Sequence, residues 1–376
     1  MRFARVAPIL LAHALATLLA FGCEEKKASE SALRLEAGTD RYAAVDPKLA
    51  KALQSAASAS AAALNGPPPE GVFPPGMANQ RHPRDMPTKV DLAGAGSEPR
   101  VSLVRPGDSA ADTARARSYG PAILEVGMLM GRSALPTVDL GLTLGPSRKS
   151  GSAADWLVAE VHKAAPAKEQ FGALPQGYEK DIATMAGTEL RLQMTPDGRA
   201  DNEQAQLGKS TLPDFDRIAQ NAADALLLFT VPVPGTPIGV GGQWIAETRM
   251  QWVGVDVLAY RAYRVKAIDG DRVDISVTIQ AYATSNETAI QGVPKGATLE
   301  QFQAQAQGEY ELVRGELLPR KGTLEQRATL FIQAPAEGAA PSPPGQPGEQ
   351  AGMLVAKFQG QATLLRGDDL RAVSAR

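Results

Sequence analysis

Hydrophobic positions along this chain change their period once, at a junction of prolines and glycines. Between Asp214 and Phe229, the apolar residues Ile218, Ala222, Ala225, Leu226 and Phe229 recur at helical spacing behind Pro213 and Asp214, and predict one long helix. The run Val231-Pro232-Val233-Pro234-Gly235-Thr236-Pro237-Ile238-Gly239-Val240-Gly241-Gly242-Gln243-Trp244 follows. Its prolines cannot donate a ladder hydrogen bond and its glycines tolerate positive φ, so regular structure stops there. Beyond it the period is two. Segments 244–252, 255–268, 273–283, 308–318, 324–333 and 353–365 predict six strands. No crossover helix fits between the first three, which excludes parallel pairing of neighbours. Upstream, short apolar runs at 101–104, 122–130, 138–144 and 188–194 read as strands, the last ending at the turn Thr195-Pro196-Asp197-Gly198. Segment 156–162 alternates too, although a helix is also compatible with it. The expected fold class is mainly β (α+β), a curved antiparallel sheet or half-barrel packed on one long helix.

One hairpin sets dipeptide against pattern. Asp269-Gly270 suggests a two-residue turn with Ile268 opposite Asp271, but that register mixes Lys266 and Arg264 with the row Val273, Ile275, Val277, Ile279 and Ala281. A three-residue loop, Ile268-Asp269-Gly270, sets Val265 opposite Val273, Tyr263 opposite Ile275 and Ala259 opposite Ile279. Arg261 opposite Val277 is the flaw, and is expected to reach a sheet edge or a carboxylate. On this reading Tyr263, Val265, Ile275 and Ile279 form the apolar face where a ligand would bind.

Composition separates a folded part from tethers. In 376 residues, 44% hydrophobic content supports a core, while Gly 36 and Pro 28 demand long irregular segments. Residues 23–96 read as a mostly disordered tether, with a short Ala-rich helix after Asp46-Pro47 and a proline-rich, protease-sensitive spacer at 66–96. The β-rich domain is expected over 97–376, with a flexible insertion at 334–352 that carries Pro341, Pro343, Pro344 and Pro347. A formal net charge of -2 offers no basic field, and 5% aromatic content no stacking platform, so nucleic acid is not an expected partner.

Candidate chemistry is sparse. Of three histidines, His13 falls in the leader and His82 in the spacer, which leaves His162 alone in the domain, read as a solvated strand residue. Gly239-Val240-Gly241-Gly242 precedes a strand pattern and not a helix, against a dinucleotide fingerprint. Asp269, Asp271 and Asp274 fit turn chemistry better than calcium. Glu309, Glu311 and Glu316 are the remaining carboxylates for a hydrolase, and solvent-facing glutamates of a sheet explain them as well. No catalytic residue, metal or cofactor is expected.

The N-terminus reads as a leader over 1–22. Arg2 and Arg5 precede an apolar stretch at 9–21, and the chain's one cysteine, Cys23, ends it. Leu18, Leu19, Ala20, Gly22 and Cys23 resemble the bacterial lipobox, with Phe21 at its tolerant position. The resemblance implies acyl chains on Cys23, which at about 0.8 kcal/mol per buried methylene anchor a chain without spanning. Glu24 rather than Asp after the cysteine favours the outer membrane. Gly239 to Trp244, the tyrosine-containing strand after it and Gly270-Asp271-Arg272-Val273 are together similar to a family of uncharacterised bacterial envelope lipoproteins from about residue 101 onward. That family carries no activity to transfer. The expected function is non-enzymatic binding of an apolar ligand or an envelope protein. A structural role at the outer membrane is the alternative, and a carboxylate-based hydrolase the second.

Overall fold

The computed structural model describes residues 68–370 except 85, 104–117, 131–132, 147–154, 171–172, 195–199, 210–211, 213, 288–289, 291–292, 294–295, 335–351 and 368–369. The leader, Cys23, the Ala-rich helix, the Thr195 turn and the body of the 334–352 insertion therefore lie outside the described residues.

Twelve antiparallel strands form one sheet. They are β1 (Lys89–Gly94), β2 (Gly120–Met130), β3 (Ser133–Pro146), β4 (Asp155–Pro166), β5 (Glu189–Met194), β6 (Ala200–Gln206), β7 (Gln243–Trp252), β8 (Val255–Asp269), β9 (Arg272–Ala283), β10 (Thr298–Val313), β11 (Lys321–Gln333) and β12 (Met353–Arg366). Their order is β1-β7-β8-β9-β10-β11-β12-β2-β3-β4-β5-β6. The ladder does not close, although edge strand β6 comes into contact with β7. Strand β12 joins the two halves by pairing β11 on one side and β2 on the other. Period two is strict where one face is buried: in β11, Gly322, Leu324, Gln326, Ala328, Leu330 and Ile332 all turn inward. Ala334 N donates to Gly352 O at 3.1 Å, so the proline-rich insertion leaves and re-enters at the β11–β12 hairpin.

Among the described residues three α-helices accompany the sheet, α1 (Met77–Arg81), α2 (Tyr178–Ile182) and α3 (Phe215–Phe229). The spacing of Ile218 to Phe229 predicts one buried stripe on α3, yet only Asp216, Arg217 and Gln220 escape burial. From Asn221 onward the helix is enclosed on every side, as its last run at 225–229, apolar all round, requires. Its Phe229 ring lies 5.4 Å from that of Tyr310 on β10. A Cβ at Gly322 on β11 would stand 2.6 Å from the same ring, so glycine there makes room for the helix end.

The junction is a packed crossing. Ile238 and Val101 exchange backbone hydrogen bonds, and a Cβ at Gly239 would sit 1.7 Å from Ser97 O. Of the expected strand at 101–104, only this isolated bridge at Val101 is seen among the described residues.

Two sequence expectations need correction. The spacer at 66–96 is docked from Pro68 onward, so the domain begins before residue 97. Phe73 and Ala78 are buried, and β1 pairs with β7 from Lys89↔Glu247 to Gly94↔Gln243. The three-residue β8–β9 loop is also overturned. Asp269 pairs with Arg272 around a two-residue turn, Gly270-Asp271, and Gly270 takes φ 58. A bulge at Lys266 then restores parity, giving Val265↔Ile275, Tyr263↔Val277 and Arg261↔Ile279. The shift is by two residues, so each side chain keeps the face assigned to it, while every partner changes.

Candidate functional site

The four residues assigned to a ligand face lie in the core. Tyr263, Val265, Ile275 and Ile279 are 0–1% exposed and belong to one apolar cluster with α3. Tyr263 stacks on Trp244 at 5.0 Å, and Ile275 sits beside Tyr310, whose hydroxyl donates to Leu228 O of the helix at 3.1 Å. Helix side chains occupy the space in front of this face.

Arg261 shares that face and is fully buried. The expectation that it reaches an edge or a carboxylate is wrong. Its Nη1 donates to Thr230 O at 3.2 Å and Leu227 O at 3.4 Å, and its Nη2 to Thr248 Oγ1 at 2.8 Å. The last turn of a helix carries the negative end of its dipole, and here a sheet-borne cation meets it, adding a donor to Leu227 O beside those of Thr230 N and Oγ1. Its Nε and the neighbouring Tyr263 hydroxyl are buried without a hydrogen bond, so the cation is held by few groups. Thr248 in turn bonds Thr88, just before β1, at 3.0 Å.

A second polar group lies inside, where α3 meets the β7–β8 turn. Asp224 is 5% exposed, accepts from Gln220 Nε2 at 2.6 Å and from the Val253 backbone N–H. Burial pushes its pKa up from 3.8 to about 7, against the lowering effect of those two bonds. Val253 has φ 48, a strained value for a β-branched residue, so the bond to Asp224 secures a turn the backbone resists. Nearby, Trp252 Nε1 donates to Gln326 Oε1 at 2.8 Å and Gln326 Nε2 to Asn221 Oδ1 at 3.4 Å. None of the buried side-chain atoms left without a hydrogen bond belongs to this set, which is the arrangement of a specified core.

The outer face of β7–β9 carries its own small core. Ile245, Leu258, Tyr260, Ala262 and Tyr282 point away from α3 and are covered by Phe73, Met77 and Ala78. Residues 68–87 thus form a strap across the outside of the sheet. Phe73 N bonds Ala283 O at 2.9 Å, and the Arg81 guanidinium lies 5.2 Å from the Tyr260 ring and 6.0 Å from that of Phe73. His82, 1% exposed, sits between Glu247 Oε1 (3.2 Å from Nδ1) and Met86 O (3.1 Å from Nε2). Arg249 donates to both Asp256 oxygens, at 3.1 and 2.7 Å, and to Asn79 Oδ1 and His82 O of the strap. Burial alone would raise the Asp256 pKa, but its bonds to Arg249 and Arg84 bring it below the ordinary value. An open polar cleft of about 510 Å³ borders this clamp, lined by Asn79, Arg84, Arg249, Asp256, Thr284 and Glu287.

The other sequence candidates are dispersed. His162 is an exposed bulge residue on β4, with Nδ1 3.4 Å from Thr143 Oγ1. Glu309 pairs with Lys266 at 2.7 Å and Glu311 with Arg272 at 3.3 Å, both toward solvent. Glu316 is different: 4% exposed, it takes Arg320 at 2.6 Å and Arg366 at 3.2 Å, which pins the end of β12. Asp271 binds Arg314 at 2.5 Å across the hairpin end. Glu125 and Asp139 face each other across β2–β3, and burial, then mutual contact for Glu125, raises the pKa of both. Among the described residues, no group of three or more His, Cys, Asp or Glu could hold a metal ion. Also among them, no helix is long and apolar enough to cross a membrane.

Arg261, Asp224 and the His82–Glu247 pair are the polar features that sequence reasoning missed. Only Arg261 left a trace, as the one charge in an apolar row. Comparison with known proteins adds nothing to this geometry: no protein-family model matches the chain, and no curated protein does.

Proposed function

We propose that this chain is a non-enzymatic bacterial envelope lipoprotein, anchored through Cys23, whose domain works by contacts with other envelope proteins and not by carrying an apolar ligand. In this reading a half-barrel wound on one long helix hangs from an N-terminal tether, on the outer membrane. The observation that supports it is α3: the helix fills the face where a ligand would have to lie, with Ala222, Ala223, Ala225, Leu226, Leu227, Leu228 and Phe229 all 0% exposed. A carrier requires an unfilled apolar pocket of at least about 300 Å³, which here would mean expelling that helix. Contact with a partner is favoured by the start of β12, where Met353, Leu354 and Val355 are 52%, 43% and 50% exposed in sequence. These three residues lie beyond the end of β2, whose pairing with β12 begins at Phe358↔Met130. An apolar run on a strand edge with no partner among the described residues favours a protein neighbour.

Intact-mass spectrometry of the chain extracted from a bacterial envelope tests both halves. Under denaturing conditions the N-terminal peptide should carry acyl chains on Cys23, a mass that Cys23→Ser abolishes together with sedimentation in the membrane fraction. Under native conditions the delipidated domain should show no further adduct. A stoichiometric, non-covalent apolar adduct would restore the carrier reading, and an unmodified Cys23 would remove the anchor.

A further inference from the structure

The strap over the outer face is closed by a pair whose hydrogen bonds require a proton. His82 offers its two ring nitrogens to oxygen atoms only, Glu247 Oε1 at 3.2 Å and Met86 O at 3.1 Å. A backbone carbonyl can only accept, so Nε2 carries hydrogen. The contact at Nδ1 then needs a second one, either on the imidazole or on the carboxyl. Either neutral tautomer beside an ionised carboxylate would set a ring lone pair against one of the two oxygens, in a place where His82 is 1% exposed. Where free imidazole is neutral, the closed strap therefore holds one proton more than the separated groups.

Two cations border this pair. Arg81, on the same short helix, lies 3.9 Å from Glu247 Oε2, and Arg249 on β7 donates to His82 O at 3.3 Å. Arg249 is itself matched by Asp256 of β8, which Arg84 of the strap also contacts at 2.7 Å. Tyr260 and Tyr282 complete the surroundings, with the Tyr282 pKa raised by burial and drawn back by Arg81. Beneath the strap lies an apolar patch, Ile245, Leu258, Tyr260, Ala262 and Tyr282, on a face otherwise given to charged side chains.

We propose that residues 68–87 are a proton-operated latch: the His82–Glu247 pair holds the strap shut while it shares its extra proton, and losing that proton frees the strap and uncovers the apolar patch. The inference does not depend on what occupies the inner face. Imidazole is the side chain whose ordinary titration falls between pH 5 and 8, which sets the interval for the test.

Hydrogen exchange of the full lipidated chain in detergent, expressed as protection factors, reads this directly. Between about pH 5.5 and pH 8.5, protection of residues 72–83 should fall at least about tenfold, while that of β9 and β10 changes by a smaller factor. Glu247→Gln keeps a neutral hydrogen-bond partner for a neutral imidazole, and its strap should show less than a twofold change on the order of the measurement's own scatter. Strap protection that is constant with pH, that falls in proportion to β9 and β10, or that retains its pH dependence in Glu247→Gln, overturns the latch. The proportional fall would instead report global stability.

Discussion

Replacing Arg261 by alanine is expected to destabilise the domain by on the order of 4 kcal/mol, a large part of the total stability of a single domain. The guanidinium reaches three acceptors from one buried position: Leu227 O and Thr230 O at the end of α3, and Thr248 Oγ1 on β7. Alanine takes one donor from Thr230 O and one from Leu227 O, which keeps its bonds from Thr230 N and Oγ1, removes a cation from the negative end of a helix dipole, and opens a cavity beside Tyr263. Arg261→Lys should recover less than half of the loss, because one ammonium cannot span acceptors on both α3 and β7. Arg261→Met separates packing from hydrogen bonding, since it refills most of the volume and makes no bond. Urea denaturation decides the matter: a loss below about 1 kcal/mol in the alanine variant would show that helix and sheet do not need this tie.

Asp224→Asn is expected to remove a pH dependence. The folded-state pKa of Asp224 is raised to about 7 from 3.8, so between those values the folded chain holds a proton the unfolded chain has lost. Its contribution is full below the ordinary carboxyl range and is lost as pH rises through about 7, by about 1.4 kcal/mol per pH unit for a single proton. Asparagine stays neutral throughout and its amide oxygen can still accept the Val253 N–H. The variant should match the parent near pH 4, unfold at a higher denaturant concentration near pH 8, and lack the slope between. Equal slopes in both proteins would locate the titration elsewhere, with Glu125 and Asp139 the next carboxyls to replace.

What could be read from the sequence follows from where burial is one-sided. Strands β9, β11 and β12 bury mainly one face, so Val273-Asp274-Ile275-Ser276-Val277 and its like declare their period. Strand β10 begins at Thr298 and not near 308, because its inward residues there, Ala304 and Ala306, alternate with glutamines and give a faint contrast. Strand β6 was missed for a related reason: Ala200-Asp201-Asn202-Glu203-Gln204-Ala205-Gln206 is held by pairing with β5 and has no apolar row to announce it.

The strap was hidden by its own composition. Its prolines suggest an extended spacer, and the residues that dock it find partners far along the chain, with His82 and Glu247 separated by 165 positions. Arg261 shows the opposite case. Its place on the apolar face could be read from parity alone, yet its acceptors belong to a helix end that no strand pattern describes. The face of Tyr263, Val265, Ile275 and Ile279 was likewise legible as apolar, but what covers it was not, since two-residue periodicity says that a row is buried without saying by what.

The central claim is that α3 is a permanent filling of the sheet and not a lid over a pocket. Hydrogen exchange along Phe215–Phe229 tests it most directly, through the amides from Asn221 to Phe229. If the helix is core, these amides exchange only with global unfolding, at the same free energy as the slowest amides of β8, β9 and β10. Exchange of this segment at a free energy several kcal/mol below that of the three strands would mean that α3 opens by itself. The concave face would then be a binding site after all.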